Sequence, residues 1–493
     1  MEKKRLESLA RGHGPALAPA AQTRRSPLRA IASTFAITIT IASATGAYAQ
    51  SPQPANVFVD FTAPGVATSA LSVGSTVSTY ADGGTNLIKG AQQPTWQHYA
   101  NDLGPIVWRV PLFYHGGQVG SAAGGVHGGN EGEAYIRAIK GIGGTPMIAV
   151  GGTTNDNDIQ ASDAAALVHY FNDNGGQHGG PIDAYIVGNE PDNGFGLDPY
   201  LYGGNGSSGF HAIVTAMRGA TSRPLTIAGP ALNAWASYKY ADFQKFFAAA
   251  SSDADIVDFH KYGDGQPIDN VNRTGEYEDG VNWVYQQVAN TFGYRAGQVA
   301  VQVGEFNYNP SYGAQWRDAF YTSRNVVHTA SVIGHVLRAG GRAYQYSDNN
   351  GPLGLITDGT GRNDQPTGQF VRMPAYWGIS AWTGGAWMRR YGAVMVSAST
   401  NLPDFEVFAT DSAKKIVLIN RSPDTDRHAV LALTGKPDGT YSTWQYARGM
   451  DPADFAAGPQ FQPPSQGAAN VPFSGGHIEV DVPWMSVAVL TVD

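Results

Sequence analysis

Residues 183–191 read D-A-Y-I-V-G-N-E-P, and two kinds of structure meet in them. Ala184, Tyr185, Ile186 and Val187 form a short apolar run stopped by Gly188. That is the pattern of a strand buried on both faces. Asn189, Glu190 and Pro191 follow without a gap. Proline continues neither a central strand nor a helix, so the amide and carboxylate beside it belong in a loop. The stretch predicts a parallel strand that opens directly into a polar loop. In a closed parallel barrel such loops gather at the C-terminal rim, where reactive side chains collect.

The same order recurs at 299–303, V-A-V-Q-V, followed by Gly304, Glu305, Phe306, Asn307 and Tyr308. Other strand-like runs fall at 71–80, 106–112, 146–150, 225–228, 256–259 and 343–346. Helical segments alternate with them at 94–103, 131–140, 162–172, 211–218, 240–249, 279–290 and 316–339, with Asn130 and Ser162 as expected N-caps. The last segment reads as one long helix or as two. Eight strand–helix alternations predict an α/β fold, a (β/α)8 TIM barrel over 55–388. From about residue 390 the pattern turns to short alternating strands at 405–409, 415–420, 429–433, 441–446, 477–482 and 486–492. This predicts a C-terminal antiparallel β-sandwich over 389–493. The alternating run at 57–61 falls in a segment, 55–65, that is free to pair with the sandwich.

The chain has 493 residues, 62 of them glycine, and 11% aromatics, which suits a loop-rich enzyme better than a helical bundle. It has no cysteine, which excludes disulfides, thiolate nucleophiles and cysteine-held metals. Residues 1–49 read as an export signal: a basic start, an apolar stretch at 30–44, and Ala47-Tyr48-Ala49 before Gln50. Arg24 and Arg25 give a near twin-arginine signal, with Pro27 where an aromatic is usual, so the Sec route stays open. The expected location is secreted or periplasmic. Removing the seven Lys/Arg and two Asp/Glu of that segment takes the net charge from −8 to −13. An acidic surface argues against nucleic acid as the partner. No other stretch reads as a membrane span.

Two glutamates that end buried strands far apart in sequence can be brought together by a barrel. Glycoside cleavage needs such a pair: one carboxyl gives a proton to the leaving oxygen, and the other, ionised, attacks the sugar. No G-x-S-x-G elbow, H-E-x-x-H helix or P-loop is present. The N-D-N-D run at 155–158 lacks the twelve-residue calcium pattern and reads as a solvated loop. No cofactor or metal is expected.

These residues resemble a family. Gly188-Asn189-Glu190-Pro191 resembles the Asn-Glu-Pro motif that ends strand four in clan A of the retaining barrel glycosidases. Gly304-Glu305-Phe306-Asn307 resembles the strand-seven motif of that clan. Ala228-Gly229-Pro230-Ala231, Asp258-Phe259-His260-Lys261-Tyr262, Tyr344-Gln345-Tyr346-Ser347-Asp348, Pro374-Ala375-Tyr376-Trp377 and Trp108-Arg109-Val110 resemble its other strand ends and last helix. The nearest likeness within the clan is to family 39. The heparanase and β-glucuronidase group, family 79, comes second. Gly304, where Thr or Ser is common, and the lysine after His260 depart from the family 39 pattern.

The resemblance implies that Glu190 is the acid/base and Glu305 the nucleophile. Arg109 and Tyr262 are the candidates for keeping Glu305 ionised, His260 for binding sugar and Asn189 for bonding the sugar 2-hydroxyl; the alternatives are a barrel-bottom salt bridge for Arg109, a packed ring for Tyr262 and a satisfied rim histidine for His260. Trp235 and Tyr346 are candidates to stack on sugar faces, with core packing the alternative for each. Phe113, Tyr114, Phe195, Tyr308 and Tyr312 are further rim aromatics. The function implied is exported, retaining cleavage of a polysaccharide or oligosaccharide, of β type. The alternatives are a transglycosylase that remodels exopolysaccharide and a non-catalytic polysaccharide-binding barrel.

Overall fold

The computed structural model describes residues 54–493 except 78–84, 91–92, 124–125, 174–176, 264, 266, 348–352, 358–369 and 447–463. The export segment read at 1–49 lies outside the described residues. Eight parallel strands pair in chain order and close on themselves. They are Val73–Thr76, Val107–His115, Thr145–Val150, Ala184–Val187, Thr226–Leu232, Ile256–Tyr262, Ala300–Asn307 and Arg342–Gln345, called strands one to eight below. Strand one closes the ring by pairing with both strand eight and strand two. The fold is a TIM barrel with a second, sheet domain, as the alternation predicts.

Strands four, six and seven are buried almost throughout, because helices cover their outer faces and side chains fill the barrel. The helix Ser323–Arg338 decides between the two readings of 316–339 in favour of two helices. The segment expected at 316–339 is broken: the turn at Ala314–Trp316 and the short helix Arg317–Phe320 precede it. The hydroxyl of Thr322 accepts the N–H of Arg324 and starts the longer helix afresh. Neither expected N-cap holds. Helix Gly132–Gly141 has Glu131 at its cap position, without a side-chain bond. Helix Ala161–Asn172 begins before Ser162, and its first N–H is taken by the hydroxyl of Ser208 from a distant loop.

Strand two runs on past the barrel rim and turns back as Gln118–Ala123 and then Val126–Gly128, an antiparallel flap beside the rim.

The second domain has its own core, built from residues such as Val57, Phe405, Ile416, Leu431 and Leu490. Ala55–Asp60 belongs to it, alternating buried and exposed residues along its length. This strand pairs antiparallel with Val394–Thr400 and parallel with Arg427–Thr434, so one pairing departs from the expected antiparallel pattern. The domain docks on the barrel through a shared apolar core, which Phe408, Val417 and Val489 join, and through buried polar groups. Lys415 Nζ donates to the carbonyls of Trp382 and Arg389, each at 2.9 Å. Among the described residues no helix is long and apolar enough to cross a membrane.

Candidate active site

Strand four ends in strained backbone. Gly188 has φ 75° and Glu190 has φ 45°, the left-handed region that a glutamate rarely enters. Two clamps hold it there. The Glu190 N–H donates to the carbonyl of Ala231 at 2.9 Å. Asn157, buried in the loop after strand three, brackets residue 189: its Nδ2 donates to the Asn189 carbonyl (2.7 Å), and its Oδ1 accepts the Asn189 N–H (3.0 Å). Only glycine fits at 188, because a Cβ there would lie 2.4 Å from Asn157 Oδ1. The loop at 155–158 is thus not merely a solvated connection. Asn157 is a functional residue that sequence reading missed, and its Asn-rich setting gave no signal of the clamp.

Strand seven delivers Glu305, which is buried. Arg109 Nη1 forms an ion pair with Glu305 Oε1. The Tyr262 hydroxyl donates to Glu305 Oε2 at 2.6 Å. Burial alone would raise the Glu305 carboxyl. The charges of His260 and Arg109 and the Tyr262 hydroxyl overcome it and hold the group below its ordinary range. Burial likewise works against charge on Arg109, and Glu305 and Asp258 together more than offset it.

Arg109 Nη2 also donates to Asn189 Oδ1 at 2.6 Å, which leaves the Nδ2 donor of Asn189 for the cavity that this residue lines. His260 is fully buried beneath the two glutamates. Its Nδ1 lies 2.8 Å from Glu190 Oε1 and 3.4 Å from Glu305 Oε2. Burial works against the imidazolium, yet Glu305 and Glu190 raise its pKa above the usual histidine value. His260 is therefore not placed to bind sugar directly, because it sits inside the barrel and reaches the cavity through Glu190.

One oxygen each of Glu190 and Glu305 and a ring nitrogen of His260 all lie within 4.8 Å of one another. Three such atoms are spaced to hold a cation. The Arg109 guanidinium already occupies Glu305, however, and its positive charge opposes a metal at the same carboxylate. The arrangement suits acid–base work.

These groups open into a cavity of about 240 Å³. Thr76, Pro111, Val150, Asp156 and Tyr346 line it with Arg109, Asn189, Glu190, Tyr262 and Glu305. Asp156 Oδ1 stands 3.4 Å from Nε2 of His127, which the flap contributes. Tyr346 stands edge-on to Tyr262 with ring centroids 6.2 Å apart.

Trp235 also departs from the substrate-binding expectation. It is not among the residues lining the cavity. It packs instead against Tyr240 and Gly280, with the Lys261 ammonium over its ring 5.8 Å from the centroid, because the loop after strand five turns the ring away from the cavity. Tyr308, expected at the rim, is fully buried against Phe320 and His328.

No protein-family model matches the chain, and the search of curated proteins gave no match. Solved structures share its fold. A family 51 arabinofuranosidase from Xanthomonas axonopodis pv. citri superposes with TM-score 0.69 at 14% identity, covering 89% of this chain and 100% of that one. The α-L-arabinofuranosidase of Thermotoga maritima gives TM-score 0.65 at 12% identity, over 88% and 99%. A family 44 xyloglucanase from Paenibacillus polymyxa gives TM-score 0.59 at 11% identity, over 89% and 99%. At such identities the likeness is one of fold, a barrel with an appended β-domain, and it does not single out family 39.

Proposed function

We propose that the chain is an exported glycoside hydrolase that cleaves a polysaccharide or oligosaccharide, of β type, with retention of configuration. One observation carries this reading: glutamates that end strands four and seven meet within 4.8 Å, and one of them is held ionised. Retaining enzymes keep the two carboxyls about 5–5.5 Å apart, whereas inverting ones leave roughly 6.5–9.5 Å for a water. The fold-level likeness to glycoside hydrolases supports it. The motif resemblance to clan A, family 39 first, is part of the same proposal.

In the first step a Glu305 oxygen attacks the anomeric carbon while the bond to the leaving oxygen breaks. Glu190 gives that oxygen its proton. In the second step Glu190 takes a proton from water, whose oxygen displaces Glu305 and releases the sugar. Asn189 is placed to donate to the sugar 2-hydroxyl, and Tyr346 to offer a flat wall. Among the described lining residues Arg109 is the one cation, and both its Nη atoms are engaged. With Asp156, Glu190 and Glu305 around it, the cavity favours a neutral sugar over a uronic acid.

The test is reducing-end release by residues 50–493 across plant, host and bacterial polysaccharides, with Glu305→Gln as control. Release that vanishes in the variant supports the proposal. A glycan retained by both proteins and cut by neither points to the binding barrel. Products longer than the substrate point to the transglycosylase.

A further inference from the structure

Beneath the two glutamates lies a third buried carboxyl. Asp258 sits on strand six, two residues before His260, with no exposed surface. The pairing between strands six and seven slips beside it. Phe259 opposes Val303 and His260 opposes Glu305, so Gly304 is left without an opposite residue. Asp258 fills the space that this glycine leaves. A Cβ on residue 304 would lie 2.1 Å from Asp258 Oδ1 and 2.5 Å from Oδ2. Aspartate at 258 therefore requires glycine at 304, the position that departs from the family 39 pattern.

Both Asp258 oxygens are buried without a hydrogen-bond partner, and so is Nε2 of His260. The Gly304 N–H acts on the carboxyl from outside hydrogen-bond geometry. A buried carboxyl without donors costs stability, and such groups persist where their charge acts on a neighbour. The groups that face Asp258 are His260 on its own strand, Arg109 on strand two and Glu305 on strand seven. Tyr200, from the helix Leu197–Tyr202, and Tyr344 on strand eight complete the set.

We propose that Asp258 is a positioning residue: from beneath the reacting pair it sustains positive charge on His260 and so retains the proton that His260 and Glu190 hold between them. The proposal rests on the reading of Glu190 and Glu305 as that pair. Burial pushes the Asp258 carboxyl up, His260 and Arg109 pull it back, and it settles at about 6. At lower pH Asp258 carries its own proton and adds no charge. At higher pH its charge favours the imidazolium, whose Nδ1 faces Glu190 across 2.8 Å. Asp258 thus acts on the alkaline side of the pH range alone.

The test is Asp258→Asn, equal in shape and without the charge. kcat/KM is followed against pH on the glycan that Glu305→Gln fails to cut. The imidazole of His260 is followed in parallel by NMR, assigned with His260→Ala. The expected profiles overlay below about pH 5. Above it the variant's alkaline limb, and the loss of the His260 proton, move to lower pH by about half a unit or more. Overlaid profiles and an unmoved His260 overturn the proposal and leave the glycosidase standing. An equal loss of activity at every pH also overturns it, because that is a packing effect. If the parent cuts no glycan, the reading beneath the proposal fails instead, and the NMR titration still reports on Asp258. If Asp258→Asn does not fold, the smaller Asp258→Ser paired with Gly304→Ser takes its place, with the same expected displacement.

Discussion

Two histidines in this molecule each stand between two glutamates, and only one of them faces a cavity through its partner. His335, on the helix Ser323–Arg338, meets Glu278 through Nδ1 (2.8 Å) and Glu406 through Nε2 (3.0 Å). Arg338 and Ser331 close the same cluster, which joins the barrel to the second domain. Both ring nitrogens are used. Burial works against its charge, and the two glutamates raise its pKa nonetheless. His260 has the same shift but a different outlet. Its Nε2 has no partner, its Nδ1 reaches Glu190, and Glu190 lines the cavity. The saturated triad binds two domains, whereas the triad left open toward a cavity can move a proton.

The largest expected effect falls on the open triad. Glu305→Gln lowers kcat/KM by roughly 10⁴-fold or more, with unfolding temperature little changed. A comparable loss of stability in this variant would make the site a second structural cluster and break the contrast.

The closed triad should respond in stability alone. His335→Ala leaves Glu278 and Glu406 without their shared cation and costs about 3 kcal/mol, read by denaturant unfolding, with kcat/KM per folded molecule unchanged. Its pH dependence has a definite sign. A raised histidine pKa stabilises fully below the unfolded value, and the contribution is lost as pH rises through the folded one. For Glu278 burial acts upward, but His335 and Arg338 hold the carboxyl down at about 2. Its contribution is present above the unfolded value and is lost as pH falls toward 2. The parent should lose stability on both sides of neutrality, and His335→Ala should flatten both slopes.

Asn157→Ala sharpens the contrast from the side of geometry. It frees the backbone of residue 189 beside the strained Glu190, and a misplaced acid/base is expected to cost about 10²-fold in kcat. Tyr262→Phe is milder, about tenfold. Without that hydroxyl the Glu305 carboxyl rises, so the acid limb of the pH profile moves to higher pH. The smallest pair concerns aromatics. Tyr346→Ala should raise KM several-fold, whereas Trp235→Ala should lower the unfolding temperature and leave KM alone.

How much of this was legible in the sequence follows from the range of the interactions. The strands, and the glutamates that end strands four and seven, were readable because apolar runs and their polar stops are local features. Arg109 was readable only through the resemblance of Trp108-Arg109-Val110 to the strand-two end of clan A. Asn157 was not, because its partner lies 32 residues away on a neighbouring strand end. Nor was the His335 triad, whose members come from two helices and a strand of another domain. For Trp235 sugar stacking and core packing both stayed open, for a related reason. An aromatic just past a strand end has the same local pattern whether its loop turns inward or outward. Whether 316–339 is one helix or two stayed open in the sequence, because the interruption rests on one threonine cap.

The central claim is that Glu305 bonds to the sugar during turnover. The direct measurement is peptide mass spectrometry after a 2-deoxy-2-fluoro analogue of the cleaved glycoside has been incubated with the protein. The account predicts one glycosyl adduct on the peptide that contains Glu305, absent from Glu305→Gln and slow to hydrolyse when Glu190 is replaced. An adduct on Glu190, or turnover with inverted configuration and no adduct, would contradict it.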